Sequence, residues 1–122
     1  MPERSAVGNS AAAARTLGPV VDTTPLSRAV DHFADRLRAA PQSRLQRGAA
    51  AEALEAAREL ARWAQELERP GSEPRIMPDA GMFAAADQLS VAANDLAVVL
   101  SADDEVERAV RVIEEAQKRA GV

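Results

Sequence analysis

The chain carries one histidine, so any imidazole chemistry begins at His32. Asp35 follows it by three positions and Asp31 precedes it by one. Residues three apart share a helix face, so Asp35 could orient the ring as a general base, or Asp31 could join it on a metal. The same trio also suits a solvated polar face with no chemistry. Carboxylate-bridged dimetal bundles need Glu-x-x-His, with an acid one turn before the ligand. Ala29 occupies that place. Cysteine is absent, which removes thiol catalysis, disulfides and thiolate metal sites. The sequence has no zinc-protease helix, EF-hand loop or phosphate-binding glycine loop, and no serine in a strand-turn-helix elbow. The expectation is a protein that is not an enzyme and holds no metal and no cofactor.

A second cluster is cationic. Arg36, Arg38, Arg44 and Arg47 surround one interhelical turn. They form a candidate anion contact, which the N-terminus of the following helix would assist. A solvated basic turn is the competing reading. Nucleic-acid binding is not expected, because no aromatic is interleaved with these arginines and tyrosine is absent. The net charge of -4 also disfavours polyanions and anionic membranes. No apolar run approaches the roughly 20 residues that cross a bilayer. Ala11 to Ala14 is too short for a signal-peptide core and is followed by Arg15. The expected location is cytoplasmic, with export by a route that cleaves no signal as the alternative.

These residues must be positioned by helices. Of the chain's 122 residues, 47% are apolar, mostly alanine, and only 2% are aromatic. Alanine favours helix but contributes little buried area, so the helices must approach closely. A thin core of this kind often needs a partner chain. Met1 to Thr23 is rich in small and polar residues and is interrupted by Gly18-Pro19, which predicts a flexible arm over 1–23. Leu17, Val20 and Val21 could dock it as an extended segment. Residues 24–122 then form the helical domain.

The first helix is predicted to start at Thr24-Pro25, with threonine as cap, and to end before Pro41. Leu26, Val30, Phe33 and Leu37 make its inward stripe. A second, uninterrupted helix is predicted from Ser43 to Arg69. It carries Leu45, Ala49, Ala53, Ala57, Leu60, Ala64 and Leu67 on one face, and Trp63 at the border with its charged face. Residues 69–81 hold Pro70, Gly71, Pro74 and Pro78 and read as a loop, with Ile76 and Met77 as its anchors. Asp79 to Leu100 is the third helix, with a seam of Met82, Ala86, Leu89, Ala93, Leu96 and Leu100. The fourth begins between Ser101 and Asp104 and ends before Gly121, facing inward with Val106, Val110, Ile113 and Ala116. The predicted class is all-α: a four-helix bundle built from two helical hairpins, with a flexible N-terminal arm.

The third helix is apolar on two sides. Opposite its leucine seam lie Phe83, Val91 and Val98, beside Asp87 and Asn94. Two covers suit this face: another helix of the same bundle, or a partner chain. In length and alanine content the chain is similar to small helical-hairpin substrates of specialised secretion systems. Their Trp-x-Gly turn is replaced here by Trp63-Ala64-Gln65, and their tyrosine-containing export motif has no counterpart, so their function is not carried over.

The expected function is a non-catalytic interaction or regulatory module that forms a homodimer or binds another protein. Phe83, Asp87, Val91, Asn94 and Val98 are its candidate interface. Two other classes compete. One is a small-molecule-binding domain lined by Trp63, Met82 and Phe83, and the other is an accessory subunit of a larger enzyme.

Overall fold

The computed structural model describes residues 21–122. The arm expected over 1–23 falls almost wholly outside the described residues. Four helices follow: α1, Thr24–Ala39; α2, Ala50–Glu68; α3, Ala85–Val99; and α4, Asp103–Ala120. Among the described residues there is no strand, and no helix is long and apolar enough to cross a membrane.

The start of α1 is fixed by chemistry just outside it. The Asp22 carboxylate accepts a hydrogen bond from the Thr24 amide at 2.9 Å. Thr24 was the predicted cap, but it is the residue being capped. The bond to Thr24 holds the Asp22 carboxyl below the usual aspartate range. Pro25 sits in the first turn, where its missing N–H costs nothing. At the other end, Pro41 follows an extended Ala40, and α1 stops.

The predicted second helix is broken. Gln42–Arg44 makes one helical turn and Leu45–Ala49 a wide one, inside which Gly48 has φ 144° and ψ -16°. Side chains other than glycine's rarely adopt that backbone. Leu45 and Ala49 are nevertheless buried, so the break redirects the chain without releasing its apolar face. The third predicted helix also starts later than Asp79. Gly81, at φ 100°, leads into a single 3-10 turn, Met82–Ala84, before α3 begins. In α4, Glu105 reaches back to accept from the amides of Ser101 at 3.0 Å and Ala102 at 3.2 Å. This satisfies donors that a helix start leaves unpaired.

The two pairs of consecutive helices interlock, and neither α1 with α2 nor α3 with α4 makes an extensive contact. α1 packs against α3 and α4, and α2 packs against the same pair. Leu26, Phe33, Leu60, Leu89, Leu96 and Ile113 are fully enclosed where these faces meet. About half of the buried apolar residues are alanine, including Ala53, Ala57, Ala92, Ala109 and Ala116 with no exposed surface. Small side chains at these crossings let backbones approach and gain dispersion contacts that bulkier residues would block. No polar or charged side chain is buried among the described residues. Trp63 is buried between α2 and α4, with the Arg108 guanidinium 4.3 Å above its ring.

Polar groups hold the long loop. The Gln65 side chain donates to the Arg75 carbonyl at 3.0 Å and accepts from the Arg75 amide at 2.7 Å. Arg58 donates to the Met77 carbonyl, and Gln88 to that of Pro78. Of the two expected anchors, Met77 is half-buried but Ile76 is 79% exposed. Backbone groups must find partners wherever the chain runs, and here polar side chains of α2 and α3 supply them.

Candidate interaction surface on the third helix

The leucine seam of α3 enters the core as its spacing requires. Ala86, Leu89, Ala93 and Leu96 are buried, together with Ala85 and Ala92. The opposite side stays bare. Val98 is 83% exposed, Phe83 72% and Val91 54%, and Asp87 and Asn94 are exposed between them. The bundle's own helices therefore do not cover this face among the described residues. The stripe spans fifteen residue steps, about 22 Å at the helical rise.

The sequence could not show how the stripe is flanked. Arg38, at the end of α1, donates to the Asp87 carboxylate at 2.8 Å across 49 positions of chain. It also lies 3.6 Å from Asp35 of its own helix. A cleft of about 180 Å³ opens between α1 and α3, with Ser27, Asp31, Ser90 and Asn94 at its polar positions. It is smaller than the roughly 300–1,000 Å³ typical of ligand pockets.

The cationic cluster is distributed rather than convergent. Arg38 is engaged with carboxylates, as above. Arg44 donates to the Gly121 carbonyl at 2.6 Å, placing a positive charge on the C-terminal end of α4, where the helix dipole is negative. Arg47 turns back to the Ser43 carbonyl at 3.4 Å. Arg36 is exposed on the last turn of α1.

His32 is exposed, and its Nδ1 lies 3.2 Å from the Gln117 amide oxygen of α4. Asp35, the proposed orienting acid, points to Arg38 instead. An uncharged amide beside the ring does not supply the acid–base relay that an aspartate would. Among the described residues, no group of three or more His, Asp or Glu side chains is placed to hold a metal ion. The three residues suggested for a ligand pocket are dispersed in environment: Trp63 is buried under Arg108, Met82 is half-buried and Phe83 is in solvent.

Electrostatics elsewhere are ordinary for a helical surface. Arg119 pairs with Glu52 of α2 at 2.8 Å, and that bond raises the guanidinium pKa further. The four-apart Glu115 contributes less than Glu52.

Compared with known proteins, the chain matches no family model, no curated protein sequence and no solved structure. Its surface is therefore read from its own residues.

Proposed function

We propose that the protein is a non-catalytic interaction module that self-associates through the outer face of α3. One observation carries the reading: Val91 and Val98 lie exposed on a helix whose other side is packed in the core, and Phe83 is exposed in the 3-10 turn that leads into it. Large apolar side chains scattered singly over a surface need no explanation, but an aligned set with polar neighbours is the composition of an interface that also survives in water. The thin alanine core supports the same reading, because pairing adds buried area that small side chains do not provide.

Changing Val91 and Val98 together to lysine tests it. Both positions are solvent-exposed, so the helices should form as before. The expected result is an unchanged far-ultraviolet circular dichroism spectrum and loss of association in light scattering. An associated state that survives both lysines would refute the assignment. Small-molecule binding is less well supported, since the cleft beside Asn94 is small for a ligand and the larger hollow of about 410 Å³ beside His32 and Gln117 is wide open to solvent. An accessory role beside an enzyme has no observation that favours it.

A further inference from the structure

The loop between α2 and α3 is held by alternate backbone groups. Residues 73–81 form neither helix nor strand. Gln65 of α2 accepts from the Arg75 amide at 2.7 Å and donates to the Arg75 carbonyl at 3.0 Å, and Arg58 donates to the Met77 carbonyl at 2.8 Å. Both backbone groups of Arg75 and the carbonyl of Met77 therefore face α2. In an extended chain the residue between them faces the other way. Ile76 does so: its side chain is 79% exposed, and its amide and carbonyl have no hydrogen-bond partner among the described residues. Prolines at 74 and 78 stiffen this presentation, since each fixes its own φ and holds the residue before it extended.

We propose that this loop is a substrate-like inhibitory loop for a serine protease with a small apolar specificity pocket, and that Ile76 is the residue that enters the pocket. Such a protease takes one side chain into its pocket and the carbonyl of the same residue into its oxyanion hole. The backbone groups of Ile76 are free for this, while those of its two neighbours are tied to the body of the protein. A partner that adds a β-strand suits the loop less well. It needs N–H groups at alternate positions, and Pro74 and Pro78 have none to give. The proposal does not depend on self-association through α3.

The same bonds explain why the loop inhibits rather than being consumed. The serine hydroxyl adds to the Ile76 carbonyl, and the Ile76–Met77 bond breaks. The serine's proton passes through the histidine to the Met77 nitrogen, which becomes the leaving amine. In an ordinary substrate that amine diffuses away. Here Arg58 holds Met77, Gln88 holds Pro78 at 2.7 Å, and Gln65 holds Arg75 on the acyl side. The amine therefore stays beside the acyl-enzyme at high effective concentration. It attacks the ester, its proton returns through the histidine to the serine oxygen, and the peptide bond re-forms before water replaces it. Holding the loop in its bound shape also removes the cost of ordering it on association.

Pancreatic elastase and trypsin, each assayed on a chromogenic peptide, test the proposal with the full chain. The wild type should inhibit elastase and leave trypsin active. Ile76→Asp should weaken elastase inhibition by about a hundredfold or more, since it would bury an unpaired carboxylate. That variant keeps every other bond elastase could cut, so it subtracts simple competition by the chain as a substrate. Ile76→Lys should reverse the pattern, inhibiting trypsin, whose pocket holds an aspartate, and releasing elastase. Both substitutions are at an exposed side chain, so the circular dichroism spectrum should not change. Gln65→Ala should be cut at Ile76–Met77 about tenfold faster by mass spectrometry, because two bonds that hold the acyl side are lost. A wild type that leaves elastase fully active, or that is cut at Ile76–Met77 and consumed, would overturn the proposal. So would inhibition of elastase that survives in Ile76→Asp, or an Ile76→Lys variant that leaves trypsin uninhibited.

Discussion

Ala57 sits in the middle of α2 with no exposed surface, and its smallness lets α3 and α4 pack closely on α2. Ala57→Leu puts three extra carbons into this site. Interiors are packed to crystal-like density, so those carbons must displace a neighbouring helix or force strained rotamers. The expected cost is about 1–3 kcal/mol, despite the added apolar area. Ala51→Leu is the matched control: it lies on the same helix but is exposed, so its effect should stay within about 0.5 kcal/mol. With a urea slope of about 1–3 kcal/mol per molar for a small domain, Ala57→Leu should lower the midpoint by roughly 1 M and Ala51→Leu hardly at all. The assay is urea unfolding followed by circular dichroism at a fixed low concentration, so that association does not contribute. Equal midpoints for Ala57→Leu and the wild type would show that the crossing has room to spare and refute the close-packing argument.

Two further perturbations address local features. Gln65→Ala removes both hydrogen bonds to Arg75; at about 0.5–1.5 kcal/mol each, local opening of the loop should become about tenfold more frequent, read as faster tryptic cleavage after Arg75, and an unchanged rate would mean the amide does not hold the loop. The carboxyl of Asp22 titrates below the ordinary aspartate value of 3.8 in the folded chain, so the unfolded chain binds more protons on acidification; the cap's stabilisation is full above that value and is lost as pH falls through the lowered one. Amide exchange at Thr24 should therefore gain protection above this range in the wild type, relative to Asp22→Asn, and lose that difference in strong acid; a pH-independent difference would contradict the capping role.

The periodicity of the sequence was enough to place four helices and most of the residues that face inward, although Leu67, expected on the inner face of the second helix, is exposed. Leu26, Val30, Phe33 and Leu37 are all buried, as are Ala86, Leu89, Ala93 and Leu96. Amphipathic spacing reports which side of a helix leaves water. It does not report which helix covers that side, so the interlocking of the two helix pairs was not legible. A single glycine in an alanine-rich run reads as a tolerated residue, and only the backbone shows Gly48 turning the chain. Ile76 was expected to anchor its loop because it is apolar, yet the backbone's need for hydrogen-bond partners gave that work to Gln65, Arg58 and Gln88. At the candidate interface, the five residues could be named from spacing alone. The Arg38 bond to Asp87 could not, because it joins positions 49 apart that only the packing of α1 on α3 brings together.

In the proposed function, the exposed face of α3 joins two copies of the chain. Molar mass by light scattering after size exclusion, taken over a range of loading concentrations, tests it most directly. The expected mass rises with concentration towards twice the 12.9 kDa of the chain, and a Val91→Lys, Val98→Lys double variant stays at the monomer mass throughout. A wild-type mass fixed at the monomer value, or a double variant that still pairs, would contradict it.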